Sequence, residues 1–422
     1  MEGLILGIDL CDDYCKVSGI RPTDLEPKDI GFPQADGRTM IQTTLGKKRD
    51  VNEWLMGREA YETALMGDGV IIDKLLSRLE TGQQVQIGQM VYSAKEMMTV
   101  FLGRMLEAAY RELGQNTVRK LVISIRRVTV DVMEALFACA KELGLERSQV
   151  RVISHTEAFL YYVLSQKKDY WANESILFDW SGNELHYYEM NVARGGRPHV
   201  VHVTHKVLET DFSCENVNEE RRQKVADNLL CAHAERLMNR KIISSVLLSG
   251  KGLENCQSWG SKAFLQKVCT RRRVYVEASV FSRGGVVIGA DDLARTTAFP
   301  YTIICEGRIQ ASIKIETGRR TEPEVTLAHK GSCWYDVYSV NDFILDESDS
   351  IEIKVELSKG KLSRSVNIPL DNFPKRPPRT TRVRIILKFV SENEAAIQII
   401  DQGFGDLFPA TGAVKRSKIM LQ

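Results

Sequence analysis

The sequence predicts a duplicated α/β protein followed by a separate all-β region, on three observations. An apolar run ending in an aspartate, then a turn and a second strand-like stretch, occurs twice: at 4–10 with 14–20, and at 175–180 with 184–192. After each, amphipathic helical segments alternate with short buried strands. From about residue 298 no useful helical period remains, and alternating segments separated by turn residues take over.

In the first half, a Gly-, Pro- and charge-rich loop at 21–50 leads to a short helical stretch at 53–65. A strong amphipathic helix is predicted over 92–113, where Met97, Met98, Phe101, Met105, Leu106 and Ala109 recur at three and four, with Gly114 as a stop signal. A buried strand at 120–125 follows. Asp131 is expected to cap a helix running to Leu143, ended by Gly144. A strand at 151–154 and a helix at 156–164 close this half.

The second half restarts with strands at 175–180, 184–192 and 199–209. A helix over about 217–240 is expected to turn Val225, Leu229, Ala232 and Leu237 inward. A strand at 244–248 runs into Ser249-Gly-Lys-Gly252, and the small-residue stretch 285–290 reads as a closely packed helix. In the last region, 308–315, 350–357, 381–388 and 396–400 alternate as strands of an antiparallel sandwich. Predicted domains are therefore 1–174, 175–296 and 297–422.

Length supports this division, since 422 residues exceed one ordinary core. A hydrophobic content of 43% and charged content of 27% are those of a globular chain. The formal charge of +2 offers no global attraction to nucleic acid or membrane, and no nucleic-acid partner is expected. No apolar run approaches the roughly 20 residues needed to span a bilayer, so no transmembrane segment is expected. The N-terminus enters a strand at once, without the features of a signal peptide. Nine cysteines are scattered, several in apolar contexts (Cys139, Cys231, Cys305), as reduced core residues are. A cytoplasmic location follows from these readings.

Three polar features invite chemistry and favour plainer readings. His199, His202 and His205 lie on one strand, where 202 faces away from 199 and 205, so ordinary strand histidines are expected rather than a metal site. Cys11 and Cys15 flank the first turn and read as reduced thiols rather than a redox pair. The basic clusters 271–273 and 374–379 read as solvated faces or partner contacts.

Five segments in order carry a family resemblance covering about residues 1–296. Gly7-Ile-Asp-Leu-Cys-Asp-Asp-Tyr14 resembles the first phosphate loop of DnaK-type heat-shock chaperones, Gly-Ile-Asp-Leu-Gly-Thr-Thr-Tyr. Leu121-Val-Ile-Ser-Ile-Arg-Arg-Val-Thr-Val-Asp131 is similar to their Val-Ile-Thr-Val-Pro-Ala-Tyr-Phe-Asn-Asp, and 152–162 to their first inter-lobe connection. Phe178-Asp-Trp-Ser-Gly-Asn-Glu184 resembles the second phosphate loop, Asp-Leu-Gly-Gly-Gly-Thr. Val246-Leu-Leu-Ser-Gly-Lys-Gly252 resembles the adenosine loop. The stretch 368–401 is similar to the chaperones' peptide-binding β domain, and the chain ends without room for their helical lid.

The resemblance implies a two-lobed actin-like ATPase fold with duplicated RNase H-like halves, followed by a sandwich-like β domain. It implies ATP and magnesium as cofactors. Asp9 and Asp179 would hold the metal through water, and Lys74 would help position the attacking water. Asp12, Asp13, Tyr14, Gly182, Gly250 and Gly252 would line the nucleotide site. The plainer alternative for Asp9 and Asp179 is a strand-end aspartate satisfying turn N–H groups, and for Lys74 a solvated helical lysine. The family's proline used in inter-domain switching falls at Arg126, and its connecting glutamate at Ser154, beside His155.

Phosphate cradles need backbone N–H groups that glycines leave accessible. Here Cys11 replaces a glycine, Asp12 and Asp13 replace two hydroxyl residues, and Ser181, Asn183 and Glu184 replace two glycines and a threonine. If Asp12, Asp13 and Glu184 all face the cleft, each would repel a phosphate by roughly 1–4 kcal/mol, with Lys16 or a cation as partial offset. The expectation is a protein-binding or scaffold module with a degenerate, weak or absent ATP site. The alternatives are an active ATP-dependent chaperone, using the β domain for extended peptides, and a cytoskeletal or envelope-associated scaffold.

Overall fold

A computed structural model of the chain describes residues 3–49, 51–208, 213–217, 219–256, 259–318, 321, 323–346, 349–357 and 363–421. Two expected element positions, Glu209 at a strand end and Asn218 in a helix, lie outside the described residues. The chain divides into two compact units, one of residues 1–193 and 203–300, the other of 194–202 and 301–422.

The first unit contains two mixed sheets. In the first, Leu4–Leu10 (β1), Tyr14–Ile20 (β2), Lys28–Asp29 (β3), Val118–Ile125 (β4) and Val150–Ser154 (β5) lie in the order β5-β4-β1-β2-β3. β1 and β2 form an antiparallel hairpin, while β4 and β5 run parallel to β1. Parallel neighbours require crossovers, and the helices Leu75–Thr81 (α1), Ala94–Leu113 (α2), Val130–Glu142 (α3) and His155–Ser165 (α4) supply or follow them.

The second sheet repeats this plan. Glu174–Ser181 (β6), Glu184–Ala193 (β7), Val200–Leu208 (β8, of which 203–208 belong to this unit), Ile243–Ser249 (β9) and Arg273–Val276 (β10) lie in the order β10-β9-β6-β7-β8. β7 is antiparallel to β6, and β9 is parallel to it. Asp9 stands in register with Ser124 of β4, and Asp179 with Ser249 of β9. Each aspartate thus lies near the end of a central strand between one antiparallel and one parallel neighbour. Helices Glu220–Met238 (α5), Ala263–Cys269 (α6) and Val280–Asp292 (α7) complete the unit.

Burial explains why these segments hold their places. Leu4, Leu6, Ile8 and Leu10 are fully buried on one face of β1, each contributing about 1.5–3 kcal/mol. The other face meets α7 at backbone distance: a Cβ at Gly7 would lie 1.9 Å from the Ser282 carbonyl oxygen, and one at Gly284 2.0 Å from that of Ala158. The small-residue stretch lets α7 lie against both β1 and α4. At α2, Ser93 and Glu96 form a capping box, and Gly114, at φ 66°, takes the left-handed position that ends the helix.

Two helix expectations need correction. Thr129, not Asp131, caps α3, its hydroxyl accepting the Val132 N–H at 3.3 Å. Thr129 is still extended, so its oxygen reaches back into the first turn, whereas Asp131 is already within the helix. On α5 the buried residues are Ala226, Asp227, Leu230, Ala234 and Met238; of the expected set Leu237 packs half-buried against the same core, while Val225 is 52% exposed. The rotation follows from Asp227, whose carboxylate accepts the Lys262, Ala263 and Phe264 N–H groups and the Ser261 hydroxyl, capping α6.

The second unit holds two four-stranded antiparallel sheets. One runs Glu324–Ala328, Ala311–Glu316, Ser350–Leu357, Ser363–Pro369; the other Tyr338–Leu345, Thr381–Ser391, Glu394–Asp401, Val414–Met420. Ile313, Ile353 and Val355 of the first share one core with Val383, Ile385, Leu387, Ile397 and Ile399 of the second. The basic cluster at 374–379 is not wholly a solvated face. Arg376 forms a buried two-bond ion pair with Asp401, at 2.7 and 2.9 Å, and ties down the segment ahead of the last strand.

Candidate functional site

The two strand–aspartate hairpins of the first unit face one cleft. A cavity of about 950 Å³ opens there, lined by Asp12, Asp13, Lys74, Arg126, Gly182 and Glu184 among others. Neither Gly250 nor Gly252 lines it.

The first turn closes through the Cys11 N–H, which donates to the Tyr14 carbonyl at 3.0 Å. Asp12 turns toward α1: its Oδ1 accepts the Ser77 N–H at 2.9 Å, and its Oδ2 accepts the Ser77 hydroxyl. Asp13 is exposed and reaches the second turn, where a Cβ on Gly182 would lie 2.8 Å from its Oδ2. Gly182 holds φ +57° in the tight β6–β7 turn. Tyr14 is buried, and Lys74 is exposed in a left-handed conformation just before α1.

Lys16 does not serve the cleft as a counter-charge. It is only 2% exposed, with Nζ 2.5 Å from Glu254 Oε1 and donating to the Ala278 carbonyl. A lysine opposite Asp9 on β2 has its side chain set by the strand pleat, and here that direction leads into protein rather than into the cavity.

The two aspartates differ. Asp9 Oδ1 lies 2.8 Å from His155 Nε2 and 3.7 Å from the Cys11 Sγ, and His155 is stacked on Phe281 at 4.0 Å. Asp179 is completely buried, and neither carboxylate oxygen has a hydrogen-bond partner among the described residues. Burial raises its pKa above the ordinary carboxylate value, against the opposing pull of Arg126. Gly250 (φ +83°) is confined beside it: a Cβ would sit 2.5 Å from Asp179 Oδ1. Gly252 instead admits the Trp180 ring, 2.6 Å from where its Cβ would stand. Gly250 and Gly252 therefore serve close packing around Asp179 and Trp180.

Sequence reasoning passed over a polar chain beside these turns. Arg126 Nη1 lies 2.6 Å from Glu184 Oε2, which lies 3.1 Å from His186 Nε2, whose Nδ1 is 2.9 Å from His205 Nε2. One tautomer satisfies every link: His205 Nε2–H donates to His186 Nδ1, and His186 Nε2–H donates to Glu184. Burial pushes the His186 pKa down to about 2 and that of His205 to about 4, so both rings are neutral near pH 7. Arg126 keeps Nε and Nη2 without a hydrogen-bond partner among the described residues. The arginine in place of proline was visible in sequence. Its link to two histidines on neighbouring strands was not, because cross-strand pairing has no local signature.

Asp12 and Glu184 thus enter the cleft already engaged with Ser77, Arg126 and His186, rather than as free negative charges. The arrangement can hold a cation near Asp9 and Asp179, or an anionic group near the free N–H donors of Arg126.

Comparison with known proteins gives two family matches. A family model described as a family of unknown function (DUF5716), C-terminal, matches residues 26–306. A model described as a domain of unknown function (DUF8552) matches residues 308–421. No curated protein matches the chain. Among the described residues no helix is long and apolar enough to cross a membrane.

Proposed function

We propose that this chain, which belongs to the DUF5716 C-terminal family of unknown function, is a cytoplasmic protein-binding or scaffold module of actin-like, DnaK-related ancestry without efficient ATPase activity. The shared strand order of the two mixed sheets supports the ancestry. One observation carries the loss of catalysis: Asp12 in the first turn and Lys16 on the strand after it are bound to Ser77 and Glu254. Releasing either for a nucleotide would break a bond to a half-buried partner, at about 0.5–1.5 kcal/mol each. Millimolar binding amounts to only about 4 kcal/mol.

The binding surface in this reading is the second unit. Tyr338–Leu345 is an edge strand whose outward Tyr338, Val340 and Ile344 are exposed. An extended peptide or a partner's strand can pair with such an edge.

Isothermal titration with magnesium-ATP tests the proposal. No heat of binding is expected at micromolar nucleotide, and micromolar binding with turnover would overturn it. The second reading, an active ATP-dependent chaperone, draws on the cleft cavity and the retention of Asp9, Asp179 and Lys74. It requires ATP to change peptide affinity, and indifference to ATP would remove it.

A further inference from the structure

We propose that Asp9, Cys11 and His155 form a binding site for one transition-metal cation of the zinc class, entered from the cleft. Oδ1, Sγ and Nε2 of these residues lie within 4.8 Å of one another, and all three residues are buried. Their separations are 2.8 Å for Asp9–His155, 3.7 Å for Asp9–Cys11 and 4.0 Å for Cys11–His155. Zinc bonds of about 2.0–2.3 Å in tetrahedral geometry put ligand atoms roughly 3.4–3.6 Å apart. The observed triangle reaches that shape by small movements, chiefly opening the Asp9–His155 contact by about half an ångström.

The ligands are preorganised by the fold. Asp9 is the penultimate residue of β1, Cys11 begins the turn after it, and His155 opens α4 directly after β5. β4 lies between β1 and β5 in one sheet, so the three donors are set by strand register. Stacking on Phe281 holds the imidazole plane. Cys11 also lines the cleft cavity, which gives the ion a path.

A second, independent observation points the same way. Asp179 is fully buried, and both carboxylate oxygens lack a partner among the described residues. It is within electrostatic reach of Asp9, His155 and Cys11. Asp9, Asp179 and a Cys11 thiolate are three negative charges, of which a dication offsets two, while Arg126 is already paired with Glu184. The donor set also chooses the metal. Magnesium demands octahedral oxygen ligands and retains water, whereas mixed thiolate, imidazole and carboxylate suit zinc or its cobalt substitute. The site stands whether or not the chain binds a nucleotide, and the titration with magnesium-ATP leaves it untouched.

Cobalt substitution of the full chain tests it. After chelation and addition of Co²⁺, one tightly held equivalent per chain is expected, with a near-ultraviolet thiolate-to-cobalt band and strong visible bands of tetrahedral cobalt. Cys11→Ser should abolish the thiolate band, and both Cys11→Ser and His155→Gln should weaken cobalt binding about tenfold or more. Cys269→Ser, at an exposed free cysteine, should change neither. No retained metal in the wild-type chain, or a thiolate band that survives Cys11→Ser, would overturn the site. Where a variant does not fold, the wild-type spectrum decides: a thiolate band with one sulfur ligand by X-ray absorption supports the site, and its absence refutes it.

Discussion

The carboxylate of Asp12 accepts the backbone N–H of Ser77 at 2.9 Å, across 65 residues of sequence. Ser77 lies in the first turn of α1, where N–H groups have no partner within the helix, so a turn residue of the first hairpin caps a distant helix. Asp12→Ala should lower stability by about 1 kcal/mol, read as a shift in urea midpoint. Magnesium-ATP binding should not appear in this variant. Its appearance would mean that the carboxylate charge alone had blocked the site.

The pair formed by buried His186 and half-buried His205 makes stability depend on pH. Both rings titrate far below the ordinary value of about 6.5 that they regain on unfolding. Their contribution is therefore complete above about pH 7 and is lost as pH falls below 6.5, at up to about 1.4 kcal/mol per pH unit for each ring. For His205 the loss saturates near its folded pKa of about 4. His205→Gln should flatten the fall in melting temperature between pH 6.5 and 4.5. A profile unchanged from wild type would contradict the assignment.

Asp227 joins α5 to the start of α6 through three backbone N–H groups and the Ser261 hydroxyl. Burial alone would raise its pKa, but hydrogen bonds led by Phe264 N–H hold it below the usual carboxylate value. The stabilisation is present above the unfolded pKa of about 4 and fades as pH drops through the lower folded value. Asp227→Ala should cost about 2–3 kcal/mol at pH 7, measured by chemical denaturation, and the cost should shrink toward pH 3.

Two glycine-to-alanine changes should act in opposite directions. At Gly284 the new methyl would meet the Ala158 carbonyl at 2.0 Å, backbone against backbone. A loss of about 3 kcal/mol or more is expected, since neither α4 nor α7 can move without disturbing β1. At Gly103, inside α2, the nearest atom is the flexible Leu143 Cδ2 at 3.2 Å. Gly103→Ala should be neutral or stabilising by about 0.5 kcal/mol through helix propensity. Thermal melting of the pair checks both.

Elements governed by close neighbours were legible in advance. The helix expected at 92–113 is observed at Ala94–Leu113, because its apolar period and the Ser93–Glu96 box lie within a few turns. The β character of 381–388 follows equally from alternation, and Thr381–Ser391 forms that strand. The inward side of α5 was misjudged because hydropathy counts Asp227 as outward, while the α6 N-terminus supplies the donors that make its burial favourable. Arg376 was misjudged in the same way, its partner Asp401 lying on another strand.

The candidate site divides along the same line. From the residues alone came the two strand-end aspartates, the altered turns at Cys11–Asp13 and Ser181–Glu184, and the replacement of proline by Arg126. Those are properties of adjacent atoms, which a linear reading contains. Folding alone assigned their partners: Ser77 to Asp12, Glu254 to Lys16 across 238 residues, and His155 to Asp9 and Cys11. A buried charge takes its meaning from the group that compensates it. That group is chosen by strand register and helix packing, which no local pattern encodes.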